Sequence, residues 1–148
     1  KRLRGISEIC FVLREKVHIK GFWFKRYNRA WQILVAGECD KIYGDSFERA
    51  GEEIHQIGNN VTIRFEQMDF GEKGTKSLVI CGSTPLEKNT IILKFAKDGV
   101  EEQRMIEFMG TKTKQSFEIE PIYGVNDVSL VFLPGSNFNF TSICFCEA

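Results

Sequence analysis

The chain has 148 residues, enough for one domain with a substantial core, and thirteen Phe, two Trp and three Tyr supply bulky side chains to fill it. Twenty basic and twenty acidic residues cancel to a formal charge of zero, which argues against nucleic acid or an anionic membrane as a partner. No apolar run approaches the ~20 residues of a membrane-spanning helix, and Lys1-Arg2-Leu3-Arg4 leads into no signal-type apolar core, so the chain reads as a piece of a longer protein.

Residues 1–24 hold two apolar runs, Ile9–Leu13 and Val17–Phe24, parted by Arg14-Glu15-Lys16, and this spacing predicts strand, turn, strand. The stretch FVLREKVHIKGFWF (Phe11–Phe24) follows the pattern of FLPGSNFNFTSICF (Phe132–Phe145): both begin and end on Phe, with a polar turn and then an apolar strand. Such repetition indicates a duplicated unit, with residues 1–24 as the last hairpin of a preceding, similar module. Extra strands on the present module, or the alternation that any two hairpins share, are the other readings. Residues 25–34 are expected to be a connector, basic at its start, ahead of a module spanning 35–148. Ala30–Ala36 is apolar and opens that module as a strand or a short helix.

Glu38–Phe47 mixes acids and aromatics ahead of a loop, and Gly51–Gly58 reads as a short strand with a turn after it. From Asn60 to Phe95 the pattern is clearest. Val61, Ile63 and Phe65 alternate with Thr62 and Arg64. Ser77–Cys81 and Thr90–Phe95 are fuller apolar runs, as of strands buried on both sides. Breaks rich in Gly and polar residues at 69–74 and 82–89, the second carrying Pro85, read as turns, so a three-stranded meander is expected at the centre of an antiparallel sheet. Gln103–Phe108 and Ser116–Ile119 then alternate around the polar loop Gly110–Lys114. Val128–Leu133 and Phe140–Phe145 form a final pair. About ten short strands without an amphipathic helix predict an all-β sandwich of two antiparallel sheets, with a closed barrel as runner-up.

Of the five cysteines, Cys10, Cys81 and Cys144 sit in apolar runs as small hydrophobes, and Cys144 and Cys146 share a strand face without a CxxC or His partner. The odd count leans towards a reducing, cytoplasmic compartment, with secretion or surface display left open. No phosphate loop, GxSxG or HExxH is present, and His18 and His55 read as surface or edge residues. The many carboxylates default to solvated loops. No catalytic residue is assigned, and enzyme activity is not expected of this chain.

The segment Val61–Gly74 (VTIRFEQMDFGEKG) resembles the strand and VDFG turn of family 6 carbohydrate-binding modules, which are galactose-binding-like jelly-roll sandwiches. Asn89–Phe95 is similar to the strand that follows there, Val128–Phe140 (VSLVFLPGSNFNF) to the closing LVF…NIDWF signature, and Ala36-Gly37-Glu38 to the opening Glu-Ala-Glu. Glu38–Phe47 and Phe132–Phe138 look most like C-terminal modules of family 2 glycoside hydrolases, the β-galactosidases. The resemblance runs from about Val35 to the C-terminus.

It implies a non-catalytic accessory module that holds galactosides or a polysaccharide near the catalytic domain of a parent chain. The alternative is a spacer or homodimerisation module of the same enzyme, without a sugar site. The sugar-contacting Asn of the family falls on Asn137. The family's two stacking aromatics fall near Asn59–Asn60 and in Gly110–Lys112, where no Trp or Tyr stands. Binding would then run through Asn60, Lys112 and Asn137, with Tyr43, Tyr123 or Phe138 rebuilding an aromatic platform. The resemblance also implies a structural calcium held by Glu38 and, where the family has Asp, by the neutral Asn139, which weakens such a site.

Overall fold

A computed structural model of the chain describes residues 8–23 and 28–148. Eleven strands run from β1 (Leu34–Val35) through β2 (Lys41–Tyr43), β3 (Glu48–Ala50), β4 (Glu53–Ile57), β5 (Val61–Asp69) and β6 (Thr75–Ser83). They continue as β7 (Lys88–Lys97), β8 (Val100–Met109), β9 (Lys114–Ile122), β10 (Val125–Phe132) and β11 (Phe138–Glu147). The only helical element among the described residues is a 3-10 turn, Ala36–Glu38.

The strands form two antiparallel sheets packed face to face. The first has the order β3-β4-β11-β6-β9, with β1 added to β11, and the second the order β2-β5-β10-β7-β8. Alternation sends Val61, Ile63 and Phe65 of β5, Ile91, Leu93 and Phe95 of β7, and Val128, Leu130 and Phe132 of β10 into the core from one side. Leu78 and Ile80 of β6 and Phe138, Phe140, Ile143 and Phe145 of β11 meet them from the other.

The segment from β5 to β7 is not the predicted meander. β5 and β7 lie in the same sheet but are separated by β10, and β6 belongs to the opposite sheet. Period-two alternation states which face of a strand is inward, yet a hairpin partner and a strand across the core leave the same mark. The expected double burial of β6 and β7 is also absent. Val79, Cys81 and Ile92 sit on outer faces and are half-covered by their neighbours.

Among the described residues eight phenylalanines are fully buried, and six of them form two aromatic clusters at opposite ends of the sandwich. At one end Phe70 contacts Phe145 at 5.1 Å and Phe95 at 6.3 Å between ring centroids, with Trp31 against Phe70 at 5.7 Å. At the other, Phe138 meets Phe108 edge-on at 4.9 Å and Phe132 at 5.4 Å.

The predicted connector is, over its described residues 28–34, part of this packing. Ala30 is completely buried, and Asn28 donates to the Asp69 carbonyl at 2.8 Å. Arg29 lies over the Phe65 ring and pairs with Asp40, so a basic residue that reads as linker covers the core with its stem. Residues 8–23, by contrast, join neither sheet and form no strand of their own. The strand, turn and strand expected there are replaced by an extended segment with a bend at Arg14–Glu15, across which Phe11 faces Phe22 at 5.3 Å.

Phe138, a candidate platform residue in the sequence, is wholly buried between Phe108 and Phe132. Phe138→Ala is therefore expected to lower unfolding free energy by about 3–5 kcal/mol, measured by denaturant titration. A variant of unchanged stability would show that the ring is dispensable to the core.

Candidate functional site

Five connections emerge at one end of the sandwich: residues 44–47, 58–60, 84–87, 110–113 and 133–137. Hydrogen bonds join them into one rim. Asn60 donates to Asp45 at 3.2 Å, and the Asn59 amide oxygen accepts from the Gly135 N–H at 2.9 Å. Asn89 receives the Asn137 N–H at 3.0 Å, and the Thr84 hydroxyl donates to the Asn137 carbonyl at 2.6 Å. The last loop is tied in by Gly110 N–H to the Glu87 carbonyl at 2.9 Å. Gly110 sits so close to Leu86 that a Cβ would strike its carbonyl, and Gly44, at φ +142°, packs on the backbone of Asn60 and Val61. Both glycines fix how closely the loops approach.

The rim carries all four sequence-derived sugar candidates. Asn137 is exposed, and its side-chain amide has no protein hydrogen-bond partner among the described residues. Asn60 is exposed, adopts φ +52° and uses its amide donor on Asp45. Tyr43 ends β2 with more than half of its surface exposed, directly before the loop that packs on Asn60. Lys112 lies on the far side, in the β8–β9 loop. The positions expected to lack stacking aromatics, Asn59–Asn60 and Gly110–Lys112, are rim positions. Of the replacements considered, Tyr43 alone serves the rim: Phe138 is core, and Tyr123 belongs to the opposite end.

Sequence reasoning missed a stripe that starts at Tyr43. Strand register sets Tyr43, Thr62, Val131, Ile92 and Met105 side by side across the outer face of the second sheet. Ile92 and Val131 are half-buried there, and Met105 is largely exposed. The signal was present, since both are apolar at outward positions of alternating strands. The rest of this face is charged and paired: Arg64 to Asp127 at 2.5 Å, Lys41 to Glu66 at 2.6 Å and Lys94 to Glu101 at 2.7 Å.

Two residues hold β-bulges, one beside the rim and one towards the opposite end of β5. Gln56 in β4 and Gln67 in β5 have positive φ, and each ladder shifts register there. The Gln56 N–H is taken by the Asn139 side chain at 2.9 Å, and the Gln67 N–H by Asp127 at 2.8 Å. Burial pushes the Asp127 carboxyl up, but the Gln67 N–H and the Arg64 guanidinium outweigh it and hold it below its ordinary value. In β4, Glu53 is lowered chiefly by its hydrogen bond to His55 at 2.6 Å, with Thr141 assisting. His55 is thus a partly exposed strand residue with a structural partner.

The residues present do not fit the implied calcium. Asn139 already spends its carbonyl oxygen on the Gln56 bulge, and Glu38 is exposed on the 3-10 turn. Arg49 brings a cation to that turn, approaching the Gly37 carbonyl and the Cys39 sulfur. Among the described residues no group of three or more His, Cys, Asp or Glu side chains is placed to hold a metal ion. Cys10, Cys81, Cys144 and Cys146 are free thiols. A cavity of about 320 Å³, lined by Phe95, Lys97, Glu102, Tyr123 and Asn126, lies at the end remote from the rim.

Thermal unfolding in millimolar calcium and in excess chelator is expected to give the same midpoint, and a chelator-induced fall would reveal a metal that these donors hold. Asp127→Asn keeps an acceptor for Gln67 but removes the charge facing Arg64, with an expected loss of about 1 kcal/mol at pH 7. A depressed folded pKa gives stability that is complete above the ordinary value of 3.8 and is lost as pH falls through the folded value. The two proteins should therefore converge in midpoint below about pH 4.

The sequence matches no family model and no curated protein. Solved structures are similar to it. One is CsCBM6-3 from Clostridium stercorarium in complex with cellobiose, with TM-score 0.64 and 23% identity, over 80% of this chain and 95% of that one. Another is a family 6 carbohydrate-binding module from Clostridium cellulolyticum in complex with xylose, with TM-score 0.65 and 20% identity, over 80% and 98%. A third is a CBM36 module in complex with calcium and xylotriose, with TM-score 0.59 and 17% identity, over 78% and 99%. At these identities the likeness establishes the fold, which is the jelly-roll β-sandwich of family 6 carbohydrate-binding modules.

Proposed function

We propose that this sandwich is a non-catalytic carbohydrate-binding unit of a glycoside hydrolase, taking a glycan on its loop rim through Tyr43, Asn60, Asn137 and Lys112. The observation that carries this reading is the exposed, unpartnered Asn137 amide on the same hydrogen-bonded rim as the exposed Tyr43 ring. A sugar offers hydroxyls to an amide and a C–H face to an aromatic ring, and weak glycan ligands depend on both. The unit would raise the local concentration of substrate at a catalytic domain in the same polypeptide. The resemblance of Glu38–Phe47 and Phe132–Phe138 to β-galactosidase modules narrows the proposal to galactosyl glycans and a β-galactosidase parent. The similar modules in complex with cellobiose, xylose and xylotriose make glucan and xylan the competing ligands.

A second reading is favoured by one observation. With Asn59–Asn60 and Gly110–Lys112 lacking aromatic rings, the apolar surface that continues from Tyr43 is the Val131–Ile92–Met105 stripe, which suits a second copy of the sheet as well as a sugar.

Calorimetric titration with galactose, lactose, cello- and xylo-oligosaccharides and β-1,3-glucan separates the two. Saturable binding that weakens about fivefold in Asn137→Ala and in Tyr43→Ala, each a loss of ~1 kcal/mol, is the expected result. Silence across the panel from a stable dimer, broken by Ile92→Asp, establishes the spacer reading. Hydrolysis of any of these glycans by the pure chain would overturn both.

A further inference from the structure

Residues 8–23 carry large apolar side chains that the sandwich leaves in solvent. Ile9, Phe11, Val17, Ile19 and Phe22 are between 42% and 60% exposed, and none belongs to the buried core cluster. Placed 121 positions further along, each has a counterpart that is completely buried. Ile9 and Phe11 correspond to Leu130 and Phe132 at the end of β10, and Val17, Ile19 and Phe22 to Phe138, Phe140 and Ile143 of β11. Phe24, outside the described residues, corresponds in sequence to Phe145.

Alternation alone does not produce this match. A regular strand repeats its inward positions every two residues, but β11 has a step of three, from Phe140 to Ile143. That step is a β-bulge: Phe140 pairs with Gly82 and Ser142 with Cys81, leaving Thr141 as the extra residue. The upstream segment makes the same step of three, from Ile19 to Phe22, after the same step of two from Val17. The polar turn between the runs also has the same length, and Trp23, 87% exposed, falls where Cys144 faces outward. A pattern that includes an irregularity specific to one strand encodes that strand.

We propose that residues 8–23 are the closing strand pair of a second β-sandwich of this fold, which precedes the present one in the polypeptide. They fill its core as Leu130–Phe145 fills this one. The surface exposed here is then an intramolecular core face, and its occupant is the remainder of that preceding sandwich. The junction between the two units is short, because residue 28 already packs on the present sandwich through its bond to Asp69.

The test pairs Val17→Asp with Ile19→Asp, first in this chain and then in the polypeptide extended upstream. In the 148-residue chain the melting midpoint is expected to stay unchanged, and a fall would place the segment on this sandwich and overturn the proposal. In the extended polypeptide one of two unfolding transitions should drop while the other stays, and amides of 17–23 should exchange as slowly as those of β11. Unmoved transitions, or an upstream reading frame with no strand-deficient sandwich, would overturn it. So would a dimer of the 148-residue chain that the substitutions abolish, since the occupant would then be a second copy.

Discussion

The two sheets share no strand ladder, so their separation and angle are set by what lies between them, and the largest side chains there are phenylalanines. A ring is wide enough to span most of the gap from either side, and edge-to-face contacts fix orientation as well as distance. Phe138 is the best placed of these. It starts β11 at the rim end, touches rings from β8 and β10, and lies beside Asn137, the residue proposed above to meet a glycan. Strand β11 therefore couples core and rim within two adjacent residues. The second cluster, built on Phe70, ties in Trp31 and so recruits the segment before β1 into the same module.

Side-chain carboxamides and carboxylates do a second kind of work at the bulges. An extra residue in a strand leaves an N–H outside the ladder, and a half-buried N–H without a partner is costly. Asn139 and Asp127 supply the missing acceptors for Gln56 and Gln67, one on each sheet. Asn139 stands where the resemblance implies an aspartate. A neutral amide suffices for one backbone bond, whereas a cation needs charge and several oxygens, so the residue type and its task agree.

Much of the fold was legible because alternation is a local property. Val61, Ile63 and Phe65 announce their inward face without knowledge of their partners, and the same holds along β7 and β10. Sheet membership was not legible, since β6 reads the same whether it pairs beside β5 or faces it across the core. The rim was legible in part. Asn60, Lys112 and Asn137 follow turn signals, and turns at one end of an antiparallel sandwich must gather there. The Tyr43–Met105 stripe depends on register between five strands, so the outward apolar residues visible in β7 and β10 do not by themselves show that they line up. Arg29 was misread for a related reason: its charge suggests a linker, while its burial follows from Phe65 and Asp40, both distant in sequence.

One further consequence follows from β1. It runs antiparallel to β11, pairing Leu34 with Ile143, so the polypeptide comes into the sandwich beside the place where it leaves. Both points lie at the Phe70 end, and the Ala148 N–H is bound there by the Gly74 carbonyl. Asn28 and Ala148 thus sit at one end of the sandwich, and the five loops of the rim stand clear of them at the other.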